Sequence, residues 1–198
     1  MDSKSSLATE NPVPITTRVI LITGAGSGIG RACSIALAQE FKHEVVLILT
    51  GRREAELKVT ERLIGAGNTG TVVSVIPCDV TNEADVVTLF TTIRINHTRL
   101  DVLFNNAGIS LPPTPIEELS LQQWQAVVNV NLTGKLFFVF SFQIFSRHHY
   151  PPLTNTHYHT TNTHCIYESS THIIRCFSVY SKCSEADEES VTSGGSDY

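Results

Sequence analysis

The feature that most restricts how this chain can fold is a cluster of four alternating glycines in Thr23-Gly24-Ala25-Gly26-Ser27-Gly28-Ile29-Gly30. Ahead of it, Arg18 to Thr23 is a β-branched and aliphatic run of the kind buried on both faces of a sheet. From Gly28 the period changes, and Ile29, Cys33, Ala36 and Leu37 fall at helical spacing. A strand that becomes a helix across glycines has the shape that holds a pyrophosphate. Without Cβ atoms in the way, backbone N–H groups and the helix N-terminus reach the anion. The spacing is T-G-x-x-x-G-x-G and not a strict G-x-G-x-x-G, because the position five after Gly24 is Ile29.

The alternation continues. Glu44 to Thr50 is a second apolar run, and Glu54 to Ile64 reads as a helix closed by Gly65 and Gly67. Thr71 to Pro77 makes a third strand, Asn82 caps a third helix, and Leu100 to Phe104 makes a fourth strand ending at Asn105. Strand and helix alternating at these lengths predict an α/β fold with a Rossmann-type, doubly wound parallel sheet. A long helical segment follows Ser120, with Leu121, Trp124, Val127 and Val128 expected against the sheet. Three regions result: a polar, turn-rich lead-in over 1–17, expected to be disordered, a dinucleotide-binding portion over 18–146, and an irregular or disordered tail over 147–198. Six of the eight histidines crowd into that tail among Thr and Ser, at spacings that fit no regular zinc pattern, so no metal site is expected.

The net charge of −5 includes no basic run, which argues against a nucleic-acid partner. Five scattered cysteines describe no disulfide framework, so a reducing, cytoplasmic setting is expected. The most apolar stretch, Leu136 to Phe145, is about half the length a bilayer needs, and no membrane span is expected.

The glycine turn is followed in order by Cys78-Asp79-Val80, Asn105-Asn106-Ala107-Gly108 and Asn129-Val130-Asn131-Leu132-Thr133-Gly134. Together these resemble the short-chain dehydrogenase/reductase family over roughly Arg18 to Gly134. The resemblance implies a cofactor site made of Gly24, Gly26, Ser27, Gly28, Ile29 and Gly30, of Asp79 with Val80, and of Asn106, Ala107 and Gly108. Asp79 would hydrogen-bond the adenine amino group, although a helix N-terminal role beside Asn82 is equally open to it. Asn131 matches the family's catalytic asparagine, which fixes a proton-relay water. The activity implied is reduction of a carbonyl or oxidation of an alcohol on a small molecule, in a chain that often forms homo-oligomers.

The choice of nicotinamide cofactor is made at the end of the second strand, where an acidic residue would grip the ribose 2′-OH of NAD. This chain has Thr50-Gly51-Arg52-Arg53 there. No carboxylate repels a 2′-phosphate, and Arg52 or Arg53 offers a guanidinium to hold one, so NADP(H) is favoured over NAD(H).

The family's Tyr-x-x-x-Lys pair is not found. Tyr180 is followed by Lys182 two positions on, and Tyr150, Tyr158, Tyr167 and Tyr198 have no lysine four residues later. Four positions put two side chains on one helix face, whereas two do not. Gly134-Lys135-Leu136 can be encoded with GTAAGTT, the form of a splice donor. Read one nucleotide out of frame, 183–198 permits a string similar to the M-K…G-G-R-I-I segment that leads to the family's fifth strand. These signs give the expectation of a retained intron, a Rossmann sheet truncated after the fourth strand and its following helix, and a chain without catalytic activity of its own.

Overall fold

The computed structural model describes residues 17–113 and 115–147, with the backbone alone for 146–147, 157–160 and 165–168. Strands β1 (Arg18–Thr23), β2 (Val45–Gly51), β3 (Val72–Pro77) and β4 (Val102–Asn105) alternate with helices α1 (Gly28–Phe41), α2 (Glu54–Ala66) and α3 (Glu83–His97). The four strands are parallel, in the order β3-β2-β1-β4, with Ile20 beside Leu47 and Leu21 beside Leu103. This is the doubly wound sheet that the alternation predicts.

Period-two alternation sorts the strand residues between two cores. Ile20, Ile22, Leu47 and Leu49 face α1 and α2, meeting Leu37, Phe41 and Leu57. Val19, Leu21, Val46 and Ile48 face the other side, meeting Phe90 and Ile93 of α3. β4 is shorter than its apolar run because the chain is clamped just before it. The Asp101 amide donates to the Val19 carbonyl at 2.9 Å, and the Val19 amide donates to the Asp101 carboxylate at 2.8 Å. Asn82 caps α3 as expected, accepting from the Ala84 amide at 3.0 Å.

The long helical segment departs from expectation. Ser120 and Gln123 form a reciprocal capping box that starts α4 (Leu121–Val128), a π-helical stretch follows over Asn129–Gly134, and α5 (Lys135–Arg147) completes it. Only α5 lies on the sheet, with Phe138, Phe142 and Phe145 in the α3-side core. Leu121 and Trp124, expected against the sheet, are exposed, and α4 buries no residue fully. The segment is fastened to the body beyond α4: Val130 packs on the α3-side core, Asn131 pairs with Ile109, and Gly134 abuts the Val80 carbonyl, which a Cβ would approach to 2.7 Å. The apolar helical segment is also longer than the Leu136–Phe145 run suggested. Leu121–Phe145 is long and apolar enough to cross a membrane by length and composition, although Phe138, Phe142 and Phe145 serve the core.

Beyond α5, two short strands that the sequence pattern did not show, β5 (His157–Thr160) and β6 (Cys165–Glu168), pair antiparallel with each other, and β6 pairs antiparallel with β4. The sheet therefore has six strands in the order β3-β2-β1-β4-β6-β5. The rest of the segment expected to be irregular lies outside the described residues. So does the 1–17 lead-in, apart from Thr17, which is buried.

Candidate functional site

In a doubly wound sheet the strand order reverses beside the first strand, and the crevice outside the strands' carboxyl ends at that point is where ligands bind. Here the reversal falls between β1 and β4. A cleft of about 660 Å³ opens there.

Thirteen of the fourteen residues singled out from the sequence line this cleft: Gly24, Gly26, Ser27, Gly28 and Ile29 from the glycine turn, Arg52 and Arg53 after β2, Asp79 and Val80 after β3, Asn106, Ala107 and Gly108 after β4, and Asn131. Gly30, the fourteenth, supports the turn from behind. A Cβ on it would lie 2.3 Å from the Gly24 carbonyl oxygen. Gly24 has φ of +67°, and a Cβ there would lie 2.9 Å from the Asn106 amide nitrogen. Both positions require glycine, the first for space and the second also for its left-handed backbone.

Ser27 stands at the N-cap of α1, yet its hydroxyl caps nothing in its own helix, and no acidic side chain occupies the first turn. The first-turn N–H groups of α1 therefore face the cleft with their partial positive charge uncompensated by a cap or by an acid of that turn, the arrangement that receives an anion. With glycines where the backbone must approach closely, the residues present fit a dinucleotide pyrophosphate.

The N-N-A-G segment is what ties β4 to the turn. Asn106 Nδ2 donates to the Thr23 carbonyl at 2.8 Å, and the Ala107 amide donates to Thr23 Oγ1 at 2.8 Å. Asn105 Nδ2 reaches across to the Lys135 carbonyl at 2.9 Å, joining β4 to the start of α5. Asn131 makes a two-point clamp on one residue: its Oδ1 accepts from the Ile109 amide and its Nδ2 donates to the Ile109 carbonyl, both at 2.9 Å.

Asp79 closes a tight turn with Oδ1, accepting from the Thr81 amide at 2.9 Å and the Thr81 hydroxyl at 2.8 Å. The cap of α3 belongs to Asn82 alone, and the Asp79 amide is held by Asp85 Oδ2 at 3.0 Å. Asp79 Oδ2 has no protein donor among the described residues. Arg52 and Arg53 are exposed on the rim, with Arg53 Nη2 3.5 Å from Ser27 Oγ across the turn.

The sequence reading missed several residues. Thr23, quoted only as the start of the turn, is the hub joining it to the N-N-A-G segment. Glu56 and Cys78 also line the cleft. Burial pushes the Cys78 thiol up to about 12, with the charges of Asp85 and Asp79 adding to the rise and a Thr50 hydrogen bond opposing it. Strand-end position was the available signal for Thr23 and Cys78, since both occupy the carboxyl ends that a doubly wound sheet turns toward its ligand. The tyrosines weighed as candidate acids lie outside the described side chains.

Known proteins share this arrangement. The family model described as short chain dehydrogenase matches residues 18–144, ten residues past the Gly134 limit read from the sequence. A 3-oxoacyl-[acyl-carrier-protein] reductase from Synechocystis sp. is 38% identical over 120 residues, which is 61% of this chain and 47% of that protein. Among solved structures, a metagenomic short-chain oxidoreductase in complex with NADP is 28% identical with a TM-score of 0.59, over 66% of this chain and 57% of that one. An NAD⁺-bound xylitol dehydrogenase is 26% identical with a TM-score of 0.60, over 66% of this chain and 48% of that one. The chain spans about half the length of the proteins it matches.

Proposed function

The chain belongs to the short-chain dehydrogenase family, and from that premise we propose that its cleft binds NADP(H) in preference to NAD(H), as in an oxidoreductase acting on a small carbonyl or alcohol. The observation that carries the cofactor choice is the rim at the end of β2, where Arg52 and Arg53 line the cleft and no ion pair joins either to a carboxylate among the described residues. Two guanidiniums outside any such ion pair match a phosphate monoester by charge and by donor geometry. The fold by itself does not choose, since the related structures carry one cofactor or the other.

In this reading the glycine turn and the first turn of α1 hold the pyrophosphate, Asp79 presents Oδ2 to the adenine amino group, and Arg52 and Arg53 hold the 2′-phosphate. Asn106, Ala107 and Gly108 form the wall beside the nicotinamide half. The bound cofactor would supply a hydride. Asn131 spends its side-chain amide on Ile109, so its part in a proton relay falls to its main chain. Cys33 and Cys78 are buried and joined in no disulfide among the described residues, which accords with a cytoplasmic setting.

Binding of NADPH and NADH to the full chain tests the cofactor choice. Affinity for NADPH is expected to be higher by about tenfold or more, the worth of a charge-assisted contact. Equal affinities overturn the reading.

A second reading is that these 198 residues bind the dinucleotide without turning it over. It rests on the missing Tyr-x-x-x-Lys pattern: proton transfer matched to hydride transfer needs a positioned acid whose pKa a neighbouring cation lowers. NADPH oxidation with a panel of ketones separates the two. Turnover that depends on this chain overturns the second reading.

A further inference from the structure

The acids at the start of α2, and the way they are neutralised, have no part in the reading above. Glu54 directly follows Arg52 and Arg53, Glu56 comes two residues later, and Glu56 lines the same cleft. A free carboxylate at that place would both repel a 2′-phosphate and draw the arginines away from it. The structure gives each acid a separate cation. Glu54 lies 3.8 Å from Lys58, one helical turn on. Glu56 Oε2 lies 2.7 Å from Nη2 of Arg31, a residue of α1 standing one position past the glycine turn.

Arg31 is itself held at several points. Its Nε donates to Thr60 Oγ1 at 3.1 Å, and its Nη2 donates to the Gly26 carbonyl as well as to Glu56. Thr60 Oγ1 donates to the Ala25 carbonyl at 2.8 Å, so the guanidinium, the turn and α2 form one braced unit. The packing is close: a Cβ on Gly26 would lie 3.0 Å from the Glu56 Cβ. The ion pair with Arg31 is what fixes the Glu56 carboxylate, whose side chain is otherwise 39% exposed.

We propose that Arg31 is a positioning residue that determines cofactor specificity: by holding Glu56 in an ion pair it keeps that carboxylate off the 2′ end of the cleft and leaves Arg52 and Arg53 for the phosphate. This inference rests on the NADP(H) reading. The effect is selective, because both cofactors share the pyrophosphate and adenine contacts, and only the 2′ substituent meets the charge of Glu56. Loss of Arg31 acts through Glu56, so loss of both charges together restores the preference.

The test is the ratio of NADPH to NADH affinity, measured by titration on the full chain and on Arg31→Met, Glu56→Gln and the double variant, with thermal melts to confirm folding. Arg31→Met is expected to weaken NADPH about fivefold and NADH less than about twofold, the scale of a half-exposed charge pair. The double variant is expected to return the ratio to that of the wild type. Equal weakening of both cofactors, or a ratio that the second substitution does not restore, overturns the proposal and makes Arg31 a brace for the turn alone. Should Arg31→Met fail to fold, Glu56→Gln decides: it keeps or raises the ratio if the carboxylate opposes the phosphate, and a lowered ratio overturns the proposal. A wild-type chain that shows no preference removes the NADP(H) reading and this inference together. A wild-type preference that Arg31→Met leaves intact removes this inference alone.

Discussion

The glycine turn and the α4–α5 helix meet across one cleft but are built on different principles. At the turn, close approaches leave no space for a side chain, and Thr23, Asn106 and Thr60 tie β1, β4 and α2 together through short hydrogen bonds. Along the helix, one face carries Phe138, Phe142 and Phe145 into the core, while Trp124, Leu132, Leu136, Phe140 and Ile144 lie exposed on another. The first region is specified by steric fit and polar pairing between neighbours in space. The second is specified by which apolar residues reach the core, and it leaves a row of large apolar side chains exposed.

The largest test of that difference concerns two phenylalanines of α5 that are two positions apart. Phe138 is 0% exposed and packs edge-on against Phe90 at 5.7 Å between ring centroids, whereas Phe140 is 57% exposed. Phe138→Ala is expected to destabilise by about 4 kcal/mol through lost burial and the cavity it leaves. Phe140→Ala is expected to stay within about 0.5 kcal/mol, as surface changes do. Urea denaturation of both variants measures this, and similar midpoints would mean that α5 does not dock on the sheet by its phenylalanine face.

A smaller effect sharpens the other side of the comparison. Gly30→Ala places a methyl 2.3 Å from the Gly24 carbonyl oxygen and within 2.6 Å of the Asn106 amide, so the turn must shift, at about 3 kcal/mol. Gly28→Ala meets nothing within 4 Å and carries only the strain of φ +52°, about 1 kcal/mol. Thermal melts that ranked the two the other way round would show that the backbone conformation, and not the close approach, decides what the turn tolerates.

The cofactor end was legible in the sequence because its requirements are local. Glycines at fixed spacing, an asparagine pair after a strand and an aspartate after another each name a backbone geometry, and thirteen of fourteen such residues line one cleft. What stayed hidden depends on contacts between distant residues. Arg31 and Glu56 are 25 positions apart and read separately as ordinary helix-surface charges, and only the packing of α2 on the turn joins them. The orientation of α4 was misread for a related reason. Leu121, Trp124, Val127 and Val128 have core periodicity, but the contacts that fasten the segment to the body, at Val130, Asn131 and Gly134, all lie beyond α4. The antiparallel β5–β6 hairpin leaves no signature because its strands are four residues each, too short for a pattern to form.

The smallest expected effect separates the two regions by their response to pH. Cys78 sits at the end of β3 on the turn side of the cleft, 2% exposed, and the α4–α5 helix has no cysteine. Its thiol rises from an ordinary 9.0 to about 12, first because burial penalises the thiolate and then because Asp85 and Asp79 repel it. The folded chain thus keeps this proton at pH values where the unfolded chain releases it. A raised folded-state value means that the stability it gives is fully present below about pH 9 and is lost as pH climbs from 9 toward 12. At pH 10 the loss is about 1 kcal/mol, following the proton linkage. Other groups titrate over the same range, so the measurement is a difference: the urea midpoint between pH 7.5 and pH 10, for wild type and for Cys78→Ala. The wild type is expected to lose more stability than the variant across that interval. Equal losses would mean that Cys78 ionises as readily in the folded chain as in the unfolded one, and that the floor of the cleft is open to water at this point.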